Sequence, residues 1–101
     1  MLEDIEITPR ADCDINDILR YISTTLCNPP AAQGLMRRFL QAFDTLMDFP
    51  EIGRIIADDS LGFTVRVWPC KNYLIYYKID GTTLVIITVI YKKRDRSNLE
   101  F

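Results

Sequence analysis

Hydrophobic and polar positions change period several times along the 101-residue chain, and each period names an element. Leu2 to Ile7 alternates, with Glu3, Ile5 and Ile7 on one face and Leu2, Asp4 and Glu6 on the other, which is the period of a short strand. Thr8-Pro9 then supplies a hydroxyl to cap free N–H groups and a proline for the first helical position. Ile15, Ile18, Leu19, Ile22 and Leu26 follow at helical spacing as one apolar stripe. Asn28-Pro29-Pro30 stops this helix and starts another by the same chemistry. The second stripe is stronger: Ala32, Leu35, Met36, Phe39, Leu40, Phe43, Leu46 and Met47. So short a connection predicts an antiparallel helical hairpin, and both helices then need a flat apolar surface to cover.

The second half supplies that surface. Phe49-Pro50-Glu51-Ile52-Gly53-Arg54 reads as a corner, and Asp58-Asp59-Ser60 as an exposed loop. Phe63 to Trp68 alternates, with Phe63, Val65 and Val67 on one side and Thr64, Arg66 and Trp68 on the other. Tyr73 to Ile79 is almost continuously apolar and β-prone, as a central strand should be, and Asp80-Gly81 favours a two-residue hairpin turn. Leu84 to Tyr91 is another buried-strand run, after which Lys92-Lys93-Arg94-Asp95-Arg96 turns abruptly basic. No repeat, linker or low-complexity segment interrupts the chain. The prediction is a single α+β domain over residues 1–101: an N-terminal strand and a two-helix hairpin packed on a small, mainly antiparallel sheet, in the order β-α-α-β-β-β.

Composition narrows the classes. A hydrophobic share of 49% with 26% charged residues excludes global disorder, and the length suffices for a core without disulfides. No apolar run approaches the ~18 residues of a membrane span, and the acidic start Met1-Leu2-Glu3-Asp4 lacks the basic end of a secretory signal. Cys13, Cys27 and Cys70, without a C-x-x-C pair, predict a reducing, cytoplasmic setting. The absence of histidine removes Ser–His and Cys–His nucleophile pairs and histidine-bound zinc, so neither metal nor cofactor is expected. The net charge of −2 conceals a division: residues 1–63 carry −6 and residues 64–101 carry +4. Either a polyanion or acidic partner meets the C-terminal half, or the two signs intermix on folding.

Arg66 is the first candidate for chemistry, since a mid-strand guanidinium grips phosphate with a planar fork. Its alternative is a solvated sheet face with a neighbouring carboxylate as partner. Tyr91-Lys92-Lys93-Arg94 is the second: cations for phosphate beside a ring that stacks a base, or else a basic cap that blunts a sheet edge. Lys71 belongs to the same sheet region. Tyr73, Tyr76 and Tyr77 read as core or rim residues, Glu51 as a loop carboxylate, and Arg37-Arg38 as the solvent face of the second helix. The four scattered glycines leave no phosphate-cradling loop.

Taken in order, Thr8-Pro9-x-Ala11, Asp14-x-x-Asp17-Ile18, Tyr21-Ile22, Pro30-Ala31-Ala32, Phe49-Pro50-x-x-Gly53-Arg54, Arg66, Asn72-Tyr73, Tyr76-Tyr77 and Ile90-Tyr91-x-x-Arg94-Asp95 resemble the RelE/ParE family of bacterial toxins. The resemblance runs from about Ile5 to Asp95. It implies a growth-inhibiting toxin of a type II toxin–antitoxin, or plasmid-stabilisation, pair, wrapped by an extended and helical segment of its antitoxin in a hetero-oligomer. RelE-like members cut messenger RNA on the ribosome, and ParE-like members poison DNA gyrase without a catalytic site. The resemblance maps Arg66, Tyr91 and Arg94 onto the catalytic positions of the nuclease branch, and the basic residues read beside them, Lys71, Lys92 and Lys93, are the expected RNA- or target-binding residues. Tyr91 stands where many relatives carry histidine. A metal-independent nuclease here would hold phosphate charge with Arg66 and Arg94 and place a base or 2′-hydroxyl with Tyr91. Lys92 or Lys93 would exchange the proton, and no residue has an obvious base role. The long second helix and the Pro50-x-x-Gly53-Arg54 corner look ParE-like, while the basic, aromatic tail suits the nuclease. The expectation places mRNA cleavage narrowly first and gyrase inhibition second.

Overall fold

The structure is a computed structural model and describes residues 2–58 and 64–93. Strand β1 (Asp4–Ile7) leads into helix α1 (Pro9–Arg20), which widens into a π-helical turn at Tyr21–Thr25 before helix α2 (Pro29–Asp48). Strands β2 (Arg54–Asp58), β3 (Thr64–Cys70), β4 (Tyr73–Asp80) and β5 (Thr83–Tyr91) follow. They form one five-stranded sheet in the order β1-β5-β4-β3-β2. β1 runs parallel to β5, pairing Ile5 with Leu84 and Ile7 with Ile86, and every other pairing is antiparallel.

The helical hairpin on a mainly antiparallel sheet is the expected architecture, with one strand more than the alternation of residues announced. β2 escaped because Ile55 and Ile56 are adjacent, so the segment has no period of two. A bulge between Ile55 and Ala57 accommodates them in the ladder to β3. Asp58 therefore ends a strand instead of opening a loop, while Asp59, Ser60 and Phe63 lie outside the described residues. β3 also runs on through Pro69 to Cys70. β2 pairs no further than Val67, so the proline stands where β3 has lost its neighbour on that side. The β4–β5 hairpin turns one residue later than predicted: Asp80 pairs with Thr83, and Gly81, at φ +63°, occupies the left-handed position that glycine adopts freely.

Both helices start as their caps dictate. The Thr8 hydroxyl accepts from the Ala11 N–H at 3.1 Å, and Asn28 accepts from the Ala31 N–H at 3.2 Å, each followed by proline in the first turn. Their stripes cover one face of the sheet. Phe39 and Leu46 of α2, Ile75 and Tyr77 of β4, and Leu84 and Ile86 of β5 are wholly excluded from solvent. Truncating Phe39 to alanine there costs about 3–5 kcal/mol. β1 ends at Ile7, and beyond it α1 takes over the edge of β5. Thr8 donates its N–H to the Ile86 carbonyl (3.2 Å) and its hydroxyl to that of Ile87 (2.8 Å). Asp14 accepts from the Val89 N–H at 3.2 Å and from the Thr88 hydroxyl. A carboxylate and a hydroxyl thus satisfy an edge that would otherwise invite another strand.

Candidate functional site

Two polar arrangements flank the core. The first is a clamp on the corner between α2 and β2. Tyr77 is a core residue whose hydroxyl emerges under this corner, donating to the Pro50 carbonyl and accepting from the Gly53 N–H, both at 2.9 Å. Arg66 lies beside it, its β3 position directly opposite Tyr77 on β4. The Arg66 Nη1 donates to the carbonyls of Glu51 (3.0 Å) and Gly53 (2.9 Å). Burial pushes the Tyr77 hydroxyl above its ordinary range, against a smaller opposite pull from the Gly53 N–H and the Arg66 charge. The hydroxyl stays protonated and can donate. No Cβ fits at Gly53, because one would come within 2.8–2.9 Å of the Tyr77 ring carbons.

The second arrangement is a cleft of about 930 Å³ at the other end of the sheet. One wall is Asp14, Asp17, Ile18 and Tyr21 of the first helical stretch, and the other is Lys71, Asn72, Tyr73 and Tyr91. The π-helical turn matters here, since a wider helix carries Tyr21 to the rim of the cleft. Tyr73 and Tyr91 are cross-strand partners with ring centroids 5.5 Å apart, and Phe39 meets Tyr73 edge-on at 5.9 Å. Burial raises the Tyr73 hydroxyl above its usual range, and Tyr91 and Tyr21 add to the shift. Lys71 forms the β3–β4 turn with Asn72 at φ +58°, an uncommon conformation for a lysine. The Asn72 carbonyl accepts from the Lys92 N–H at 2.9 Å, tying the end of β5 to the same turn.

The predicted site residues therefore fall into two groups. Lys71 and Tyr91 line the cleft, and Lys92 adjoins it. Lys93 is exposed at the same end of the chain. Arg66 shares the helix-facing side of the sheet with Trp68, Cys70 and Tyr73. It lies four residues along β3 and two strands across from Tyr91, a separation of about 16 Å by strand geometry. Arg94 lies outside the described residues. Among the described residues there is no group of three His, Cys, Asp or Glu able to hold a metal, and no helix is long and apolar enough to cross a membrane. Tyr21 and the Arg37-Arg38 pair line depressions of the surface without being among the expected site residues. The signal for Tyr21 was its place three residues after Ile18 on the inner stripe. The arginines border a second groove of about 610 Å³ that also contains Lys71.

A two-helix hairpin laid across a five-stranded mixed sheet, with an open cleft where the hairpin turns, places the chain in the class of small α+β domains with helices on one face of a sheet. It superposes on a chain of a solved structure described as the chromosomal ParDE TA system from P. aeruginosa, with a TM-score of 0.71, 15% identity, and coverage of 89% of this chain and 96% of the other. At that identity the likeness is one of fold. The chain belongs to the ParE toxin family: the model for the ParE toxin of type II toxin–antitoxin system, parDE, matches residues 5–96. No curated protein sequence matches it.

Proposed function

We propose that this chain is a cytoplasmic, growth-inhibiting toxin, held silent by a cognate antitoxin, and that it acts by binding DNA gyrase. The observation that carries the reading is the family match, which is to ParE and spans residues 5–96. The geometry supports it. A nuclease of the kind the resemblance implies needs Arg66 and Tyr91 on one phosphate, whereas Arg66 donates to two carbonyls of the corner, about 16 Å from Tyr91 by strand geometry. An inhibitor that works by binding needs instead a surface for a large partner. Phe49, Ile52, Ile55 and Ile56 supply one, exposed together along the corner and the edge strand β2. Antitoxin restraint draws further support from the P. aeruginosa structure, which is described as a ParDE TA system.

One observation favours ribosome-associated mRNA cleavage as a second reading: Lys71 and Tyr91 line the same wall of the cleft, and the Lys92 N–H is bonded to the Asn72 carbonyl beside them. The two separate in a paired assay with purified chain. On the gyrase reading, ATP-dependent supercoiling of relaxed plasmid stops while messages in a translating extract stay intact. Unimpaired supercoiling together with newly cleaved message ends would replace it with the nuclease. Expression of the chain alone should arrest growth, and unimpaired growth would refute both.

A further inference from the structure

We infer that the groove between α2 and the β3–β4 turn, with the cleft beside it, binds single-stranded nucleic acid. A backbone phosphate sits among Arg37, Arg38 and Lys71, and an unstacked base lies in the cleft against Tyr21 and Tyr91. This goes beyond the gyrase reading and does not depend on it.

The groove gathers Arg37, Arg38 and Gln41 from α2 with Lys71 from the β3–β4 turn. Their convergence has an internal witness: the buried thiol of Cys70, raised by burial, is pulled back by both Arg38 and Lys71. Among the described residues no ion pair engages Arg37, Arg38 or Lys71. Three exposed cations from two elements thus face one groove with no counter-charge paired to them among the described residues, in a chain whose net charge is −2. Two guanidinium forks and an ammonium suit the oxygens of a phosphodiester.

What turns a cation patch into a nucleic-acid site is its neighbour. Groove and cleft share Ala31, Leu35 and Lys71, so they are one continuous depression. At about 930 Å³ the cleft is within the size of small-ligand sites, about 300–1,000 Å³, and three tyrosines, Tyr21, Tyr73 and Tyr91, line it. Asn28 and Asn72 line it as well, with donors and acceptors for a base edge. Asp14 and Asp17 line the opposite wall, where they repel phosphate. Their charge sets the polarity of binding, with phosphate toward Lys71 and base inward. A duplex, its bases stacked and paired, cannot enter. An acidic peptide would use the cations and leave the ring-lined cleft empty, so the nucleic acid accounts for more of the site.

The test is fluorescence anisotropy of the purified full chain with a fluorescein-labelled ten-nucleotide DNA strand, the RNA of the same sequence, and the DNA duplex. Neutralising that one phosphate gives a slope of log affinity against log salt of about −0.7, or about threefold weaker binding between 50 and 200 mM salt. The double variant Arg37→Gln/Arg38→Gln, exposed and harmless to the core, should weaken binding at least tenfold and flatten the slope. Tyr21→Ala should weaken strand binding about tenfold and leave the slope unchanged. Binding of DNA alone, RNA alone or both supports the inference and identifies the source. It is overturned if no single strand binds, if the duplex binds as tightly, or if the double-arginine variant binds like the parent while its urea transition shows it folded.

Discussion

Gly53→Ala should be among the most damaging single-methyl additions to this chain, although Gly53 needs no unusual backbone angle. The reason is space. A Cβ at this position would press on the Tyr77 hydroxyl and come within 2.8 and 2.9 Å of its ring carbons Cε1 and Cζ. Tyr77 cannot retreat, because it is wholly excluded from solvent and packed among α2 and the sheet. Forcing a methyl into such a site costs about 1–3 kcal/mol. If the ring shifts, the bonds of its hydroxyl to Pro50 and Gly53 also weaken, at about 1 kcal/mol each. The expected loss is about 2–4 kcal/mol, a large fraction of the ~5–15 kcal/mol that holds a domain together. Gly34→Ala is the matched control. A Cβ there meets nothing within 4 Å, and the helix interior should gain about 0.5–1 kcal/mol. Urea unfolding followed by circular dichroism reads both, provided the slope against denaturant is unchanged. A double-mutant cycle localises the cause. Tyr77→Phe alone leaves the Pro50 carbonyl and Gly53 N–H unpaired and costs about 1–3 kcal/mol, but it also removes the hydroxyl that the new methyl strikes. The double variant should therefore fall short of the sum by at least about 1 kcal/mol. Gly53→Ala within 0.5 kcal/mol of the parent (roughly the scatter of a neutral surface change), or strict additivity with Tyr77→Phe, would refute the clamp.

Arg66→Gln should cost about 1–3 kcal/mol in the same unfolding assay, by removing a charged donor from two carbonyls. On the gyrase reading it still blocks supercoiling at a temperature where it is folded, and full loss of activity in a folded variant would return Arg66 to the chemistry. Asp14→Ala strips the Val89 N–H and Thr88 hydroxyl of their acceptor. Hydrogen exchange should report lost protection at Val89 and an overall cost of about 1–3 kcal/mol, with Asp14→Asn much milder. Tyr77, Tyr73 and Cys70 are all raised above their ordinary values by burial, so the unfolded chain releases these protons first as pH rises. Stability should hold below about pH 9 and decline through the range where free thiols and phenols ionise, and a flat profile to pH 11 would contradict the burial. Phe49→Asp, at an exposed position, should leave the urea midpoint unchanged and raise the concentration needed to inhibit gyrase more than tenfold. Unchanged inhibition would remove the corner from the target surface.

Much of this fold was legible because local chemistry and long-range packing agree. Thr8-Pro9 and Asn28-Pro29 cap their helices as written, and Ile15, Leu35, Phe39 and Leu46 bury the stripe that their spacing announces. β2 was not legible, since a bulge beside two adjacent isoleucines erases the alternation by which a strand is recognised. Nor was the Lys71 turn, because nothing in a lysine forecasts a positive φ. At the corner the visible feature was the Glu51 side chain, yet the Glu51 carbonyl is what Arg66 grasps, and no composition rule sees a carbonyl. The apolar run around Tyr77 leaves it core or rim, and it is core. The task of its hydroxyl stayed hidden because its partners lie 24 and 27 residues away.

Charge shows most clearly what folding adds. Divided by chain position, the molecule has a half of −6 and a half of +4, and Arg37 and Arg38 belong to the acidic one. Read on the helix alone they are solvent-facing residues opposite an apolar stripe, and they are indeed exposed. The antiparallel return of α2 across the sheet brings them to a groove they share with Lys71, more than thirty residues later. The same packing sets Asp14 to work on the β5 edge, where its charge serves the ladder. A linear tally of charges assigns the basic surface to the C-terminal strands. Among the described residues the fold adds a second group of cations, Arg37, Arg38 and Lys71, at the seam between α2 and the β3–β4 turn, so these three are the residues to test together for an anionic partner.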